Sequence, residues 1–124
     1  MSKPCRFCLA NNALRDAPLF VGKSAYVLAM QQPDRPNACM VIPQRHIETP
    51  FDLGPDDLAG MAEALAFAKQ HLAPLAPDGY TVGWNVGAGG GQHMHHAHLH
   101  VIARFDGDAD AGMGLNALIK AAQA

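Results

Sequence analysis

The chain has 124 residues, a formal net charge of −2 with neutral histidines, 49% hydrophobic residues and a mean hydropathy of −0.02. That length suits a single domain over residues 1–124, able to bury roughly two-thirds of its unfolded surface. With no Lys/Arg block there is no mark of a polymeric nucleic-acid partner, and no apolar run approaches the ~20 residues needed to span a bilayer.

Met1-Ser2-Lys3-Pro4 leads into Cys5 without the apolar core of a secretory signal, so we expect a cytoplasmic protein. In that compartment its three cysteines read as thiols or metal ligands rather than disulfides. Cys5-Arg6-Phe7-Cys8 is a C-x-x-C pair, whose spacing lets two thiolates hold one zinc ion or form a redox couple. By itself it supplies half a tetrahedral site, and two buried thiols are the plain alternative; no β-α-β pattern surrounds it to favour redox chemistry.

Ala25 to Met30 and Ala38 to Ile42 are short β-like runs separated by the polar, proline-containing stretch 31–37, which predicts adjacent antiparallel strands. Cys39, inside the second run, reads as a small buried hydrophobe. His46 follows that strand's end, where a lone histidine is ordinarily a surface residue. Gly54-Pro55-Asp56-Asp57 is a helix start, with proline at the first helical position and carboxylates at the positive end of the dipole. Leu58, Met61, Leu65, Ala68 and Leu72 supply one apolar stripe, and Pro74 and Pro77 stop the helix, giving one main amphipathic helix over about 55–73. His71 sits in its last turn, where a cation is favoured, and reads as structural.

Tyr80, Val82, Trp84 and Val86 alternate with Thr81, Gly83 and Asn85, as in a strand with one apolar face. Four glycines in the five residues 87–91 then precede five of the chain's seven histidines, His93, His95, His96, His98 and His100. His96, His98 and His100 alternate with Ala97, Leu99 and Val101, so a strand would set three imidazoles on one face and three apolar groups on the other. A glycine-rich loop can bring backbone N–H groups close to an anion, and paired through that loop the two strands would put Asn85 beside the imidazoles. Asp106, Asp108 and Asp110 have calcium-loop spacing, but the twelfth position is Ala117, not glutamate, which excludes that reading. The alanine-rich tail from Leu115 predicts a short terminal helix.

Imidazoles at alternate strand positions lie ~6.5 Å apart, too far to share one small metal but suited to different parts of a phosphate chain. Neutral imidazole is nucleophilic near pH 7, and attack on phosphorus would give a covalent phospho- or nucleotidyl-histidine that water opens, with loop amides and a second imidazole holding the oxygens. The alternative from spacing alone is a histidine-rich metal carrier.

Taken together these residues resemble the histidine-triad (HIT) superfamily of nucleotide hydrolases and nucleotidyl transferases. Its signature matches His96-Ala97-His98-Leu99-His100-Val101-Ile102, with Gly91-Gln92 upstream. The C-x-x-C pair, Pro33-x-x-Pro36, Val41-Ile42-Pro43-x-x-His46 and Asn85, eleven residues before His96, appear in the same order. The resemblance spans about residues 5–105 and implies an α+β fold with a five-stranded antiparallel sheet, short terminal helices and a homodimer. It implies His98 as nucleophile on an α-phosphate, oriented by His96 through its backbone carbonyl. His100 and Gln92 would hold phosphate oxygens, with Asn85, Gly91 and His93 at the same substrate site. It further implies a structural zinc on Cys5, Cys8, His46 and His96. Substrates would be dinucleoside polyphosphates or nucleoside phosphoramidates; a non-catalytic nucleotide-binding or regulatory protein is the alternative. Three positions depart from the family pattern: Met30 stands where a ribose-binding aspartate is usual, with Gln31, Gln32 or Asp34 as possible substitutes. Ala38 replaces a frequent histidine, and His93 replaces a small hydroxyl residue.

Overall fold

The computed structural model describes residues 4–30 and 37–123; Gln31, Gln32, Asp34 and the Pro33-x-x-Pro36 stretch lie outside them. Five strands, β1 (Phe20–Val21), β2 (Ala25–Ala29), β3 (Ala38–Pro43), β4 (Gly79–Trp84) and β5 (Leu99–Arg104), form one sheet in the order β1-β2-β3-β5-β4. Every neighbouring pair is antiparallel. The α+β expectation holds, and β1, too short to show a period, is the strand that the sequence pattern did not mark.

Period-two alternation divides the sheet into two faces. Ala25, Val27, Cys39, Val41, Leu99, Val101 and Ala103 pack against helix α1 (Pro55–Leu72) through Met61, Ala64, Ala68 and Leu72. Tyr26, Leu28 and Ile42 point the other way and pack with Phe7, Met40 and Met94. Burial pushes the Cys39 thiol up to about 11, which keeps it a protonated hydrophobe, as its place in the strand suggested. After Leu72 the chain continues as a 3-10 turn over Ala73–Leu75, and α2 (Leu115–Gln123) forms the tail helix.

Three expectations need correction. Leu58 is 55% exposed, while Asp57 is 6% exposed, so the buried stripe of α1 begins one residue earlier than apolarity alone indicates. The hairpin strand ends at Trp84, leaving Asn85 and Val86 beyond it. And β5 starts only at Leu99, so His96 and His98 precede it in an irregular approach where His96 and Ala97 are both buried. The three imidazoles therefore do not form one even row.

Asp57 is buried because it has partners. Its carboxylate accepts from the Gly54 N–H at 2.8 Å, the N3 half of a capping box, and from the Arg45 guanidinium at 2.6 Å. Arg45 also donates to the Asp52 carbonyl, tying the end of β3 to the start of α1. The Arg45 bond, then the Gly54 N–H, hold the Asp57 carboxyl below its ordinary value. Its contribution is therefore complete above the unfolded carboxylate pKa of ~3.9 and is lost as pH falls through the lower folded value. Asp57→Asn should lower the urea midpoint most at neutral pH, with the gap to wild type closing below about pH 4; equal gaps at pH 7 and pH 3 would count against this account.

Candidate functional site

The N-terminal segment folds back over the sheet face opposite α1. Its anchor is Phe7, 1% exposed, whose carbonyl accepts from the Tyr26 hydroxyl at 2.6 Å. The Cys5–Cys8 turn is thereby pressed against the residues after β3 and before β5. Cys5, Cys8, His46 and His96 converge, each offering one ligand atom, all within 4.8 Å of one another. His96 Nδ1 lies 3.4 Å from Cys5 Sγ and 3.6 Å from Cys8 Sγ, and His46 Nδ1 lies 3.2 Å from Cys8 Sγ. A tetrahedral ion with sulfur at ~2.3 Å and nitrogen at ~2.05 Å sets adjacent S and N atoms about 3.6 Å apart, so this cluster can hold a metal of that kind.

The protonation pattern agrees. His96 Nε2 lies 2.7 Å from the Pro43 carbonyl, which can only accept, so Nε2 carries the proton and Nδ1 presents its lone pair to the thiols. Burial lowers the His96 pKa, keeping the ring neutral. Burial, then the hydrogen bond with Cys5, raises the Cys8 thiol; a metal would displace its proton.

The same reasoning fixes His98. Its Nδ1 lies 2.9 Å from the His96 carbonyl and must donate, so the tautomer with the lone pair on Nε2 is the one this contact selects. The ring packs edge-on against Phe7 at 5.3 Å and against His100 at 4.9 Å between centroids. Burial, then the His98 charge, lower the His100 pKa.

A cavity of about 420 Å³ opens beside these rings. Of the expected substrate residues, Asn85, Gly91, His93, His98 and His100 line it. His96 does not, since its ring serves the thiol cluster. Gln92 also lies outside the lining: Oε1 accepts from the Gly87 N–H at 2.8 Å, and Nε2 donates to the Glu48 and Met94 carbonyls at 2.6 and 2.8 Å. Several of the loop amides expected to face an anion are similarly used, with Gly90, Gly91 and Gln92 N–H donating to carbonyls of Gly87 and Ala88. Gly91, at φ +93°, makes the left-handed turn that closes this loop. Sequence reasoning did not single out Phe7, and its only signal was an apolar residue between two potential ligands.

Gln92 is thus the clamp of the glycine loop. Gln92→Ala should speed amide hydrogen exchange across residues 87–92 while β5 stays protected, and cost about 1–2 kcal/mol in chemical denaturation. Unchanged exchange in the loop would refute the clamp.

Comparison with known proteins agrees with this geometry. The family model described as "HIT domain" matches residues 16–107. No curated protein matches. Among solved structures, a hypothetical histidine triad nucleotide-binding protein from Sulfolobus tokodaii strain 7 is 25% identical with a TM-score of 0.74, over 84% of this chain and 71% of the other. A Zn-bound histidine triad family protein from Mycobacterium smegmatis is 25% identical with a TM-score of 0.73, over 89% and 81%. A HIT family protein from Bacillus anthracis shares the fold at 18% identity and a TM-score of 0.75, over 99% and 95%. With nearly three-quarters of its length matched, and the triad and the cysteine cluster assembled in space, the chain belongs to the HIT domain family.

Proposed function

We propose that this protein is a nucleotide hydrolase or nucleotidyl transferase that attacks an α-phosphate through His98. The observation that carries the reading is the hydrogen bond from His98 Nδ1–H to the His96 carbonyl, which makes Nε2 the nitrogen that bears the lone pair in the unprotonated ring of a residue lining the cavity. Nε2 forms a bond to phosphorus as the bond to the leaving group breaks, giving a nucleotidyl-histidine. Water, or a second acceptor in a transferase, then attacks phosphorus and releases Nε2. Neutral His100, together with Asn85 on the same wall, is placed to hold phosphate oxygens. His93, exposed at the rim, can supply a proton to the leaving group. Gln92 acts by positioning Gly91 and the loop.

Incubated with an adenylylated amine or a diadenosine polyphosphate and quenched, wild type should carry an acid-labile adduct of one nucleoside monophosphate. His98→Ala should form no adduct and lose at least about three orders of magnitude in turnover. Turnover that survives in His98→Ala would exclude the covalent route. Met30 lines the cavity where the family usually presents an aspartate, which favours the second reading, a nucleotide-binding protein without turnover. That reading predicts nucleotide binding with no adduct and no released monophosphate.

The donor set Cys5, Cys8, His46 and His96 suits zinc, bound by four protein ligands with no open position, a structural role. Protein prepared without added metal should contain about one zinc per chain, released on acidification as thiolates and imidazoles take up protons. Cys8→Ala should abolish tight retention; loose binding of several nickel or copper ions would instead indicate a carrier. The same reading, resting on the family likeness, has a single domain over residues 1–124 working as a cytoplasmic homodimer. Among the described residues no helix is long and apolar enough to cross a membrane.

A further inference from the structure

The cavity beside His98 has two unlike ends. Beside β4 and β5, Asn85, His93, His98 and His100 offer an amide and imidazoles. At the other end Phe7, Leu14, Leu28, Met30, Met40 and Met94 supply an apolar bed, all but Met30 continuous with the cluster around Tyr26 and Ile42. The sheet register sets the scale. Leu28 is paired with Met40 and Met40 with His100, so β2 lies two strand spacings, ~9.5 Å, from β5. A phosphate held at the polar end leaves the apolar bed for the uncharged part of its nucleoside.

The rim of the apolar end is charged. Arg6 and Arg15 line the cavity, each adjacent in sequence to a residue of the bed, and Asp16 is the only carboxylate among its described lining residues. Neither arginine forms an ion pair among the described residues, in contrast to Arg45 and Arg104, which are bound to Asp57 and Asp110. Arg6 lies in the turn closed by the Cys8 N–H to Cys5 carbonyl contact at 3.4 Å, and its guanidinium carbon stands 5.2 Å from the centre of the Phe7 ring. Stacking of this kind occupies the flat face of a guanidinium and leaves the N–H donors along its edge free for an anion. The Phe7 ring centre is in turn 5.3 Å from that of His98, so the two contacts in series keep this cation within about 11 Å of the His98 ring.

Base and ribose carry no charge at neutral pH, so a net positive rim at the nucleoside end is matched only when the sugar itself bears an anion. We propose that Arg6 and Arg15 bind a phosphate on the 2′ or 3′ oxygen of the ribose, making the preferred substrate a nucleotide with a phosphorylated sugar. The inference rests on the nucleotidyl-transfer reading above and narrows its substrate class. The distances agree. An α-phosphorus under attack stands roughly 3 Å from Nε2, and a sugar phosphate lies roughly 6–7 Å beyond it through the ribose, within the range that Phe7 sets for the Arg6 guanidinium. Met30 fits the same reading. A carboxylate in its place would accept hydrogen bonds from a free ribose diol and repel a phosphate; a thioether does neither.

The test compares affinities measured by calorimetry for AMP, for adenosine 2′,5′- and 3′,5′-bisphosphate, and for α,β-methylene-ADP, which adds its phosphate at the 5′ end instead. In wild type one of the two sugar bisphosphates should bind about tenfold tighter than AMP or more, with the advantage shrinking as salt rises. Arg15→Ala, at an exposed position, and Arg6→Ala should each cut that advantage severalfold while leaving the ratio of methylene-ADP to AMP unchanged, and Arg6→Lys should restore only part of it. AMP binding tighter than both bisphosphates, as expected if Asp16 accepts from the free diol, overturns the proposal. So does an advantage that survives in both alanine variants, or variants that weaken the bisphosphates and methylene-ADP alike, which would report charge alone. If no nucleotide binds, the nucleotidyl-transfer reading falls and takes this one with it; if AMP binds and a sugar phosphate adds nothing, only the subsite falls.

Discussion

His96 is the residue on which both halves of the site depend, because its ring and its backbone do different work. The ring is fully buried with both nitrogens engaged, Nε2 by the Pro43 carbonyl and Nδ1 by the two cysteine sulfurs. An imidazole buried without such partners would cost several kcal/mol in lost hydration. Held this rigidly, the residue presents its carbonyl at a fixed point, and that carbonyl decides which nitrogen of His98 bears the proton. Tautomer control of His98 is thus a by-product of packing the thiol cluster.

Phe7 closes the same arrangement from the other side. It touches both His96 and His98 edge-on, at 6.1 and 5.3 Å, while its own carbonyl is secured by Tyr26. The C-x-x-C turn therefore supplies two potential ligands and, between them, the wall against which the His98 ring rests. Separating that turn from the sheet would uncover His98 at the same time as it broke the cluster, so the thiol–imidazole cluster and the placement of His98 are coupled through one short segment.

The sheet makes this economy possible by giving its two faces separate tasks. Helix α1 satisfies one face with aliphatic packing. The opposite face carries a row in register across four strands, Leu28 on β2, Met40 on β3, His100 on β5 and Gly83 on β4. Apolar side chains thus floor the cavity under β2 and β3, and Gly83 leaves the space beside His100 without a side chain. The candidate site sits where the row turns from apolar to polar.

Much of this was legible in the sequence because it is periodic or local. Apolar β-like runs at Ala25–Ala29 and Ala38–Pro43 mark strands, the Pro55-Asp56-Asp57 start marks α1, and the histidine spacing marks the candidate site. The convergence of four potential ligands from three distant segments was readable only through the family resemblance, since nothing in the spacing of Cys8 and His46 brings them together. What tertiary structure alone decided is how equivalent-looking residues divide their roles. A period of two treats His96, His98 and His100 alike, but β5 begins only at Leu99, so His96 turns into the interior while His98 and His100 stay at the cavity. Asp57 exchanges places with Leu58 because Arg45 and the Gly54 N–H make a buried carboxylate stable there. Gln92 bonds to its own loop because three main-chain partners surround it. In each case the side chain's identity is local information, whereas its role is set by which partner stands opposite, and that partner is supplied by chain far away in sequence.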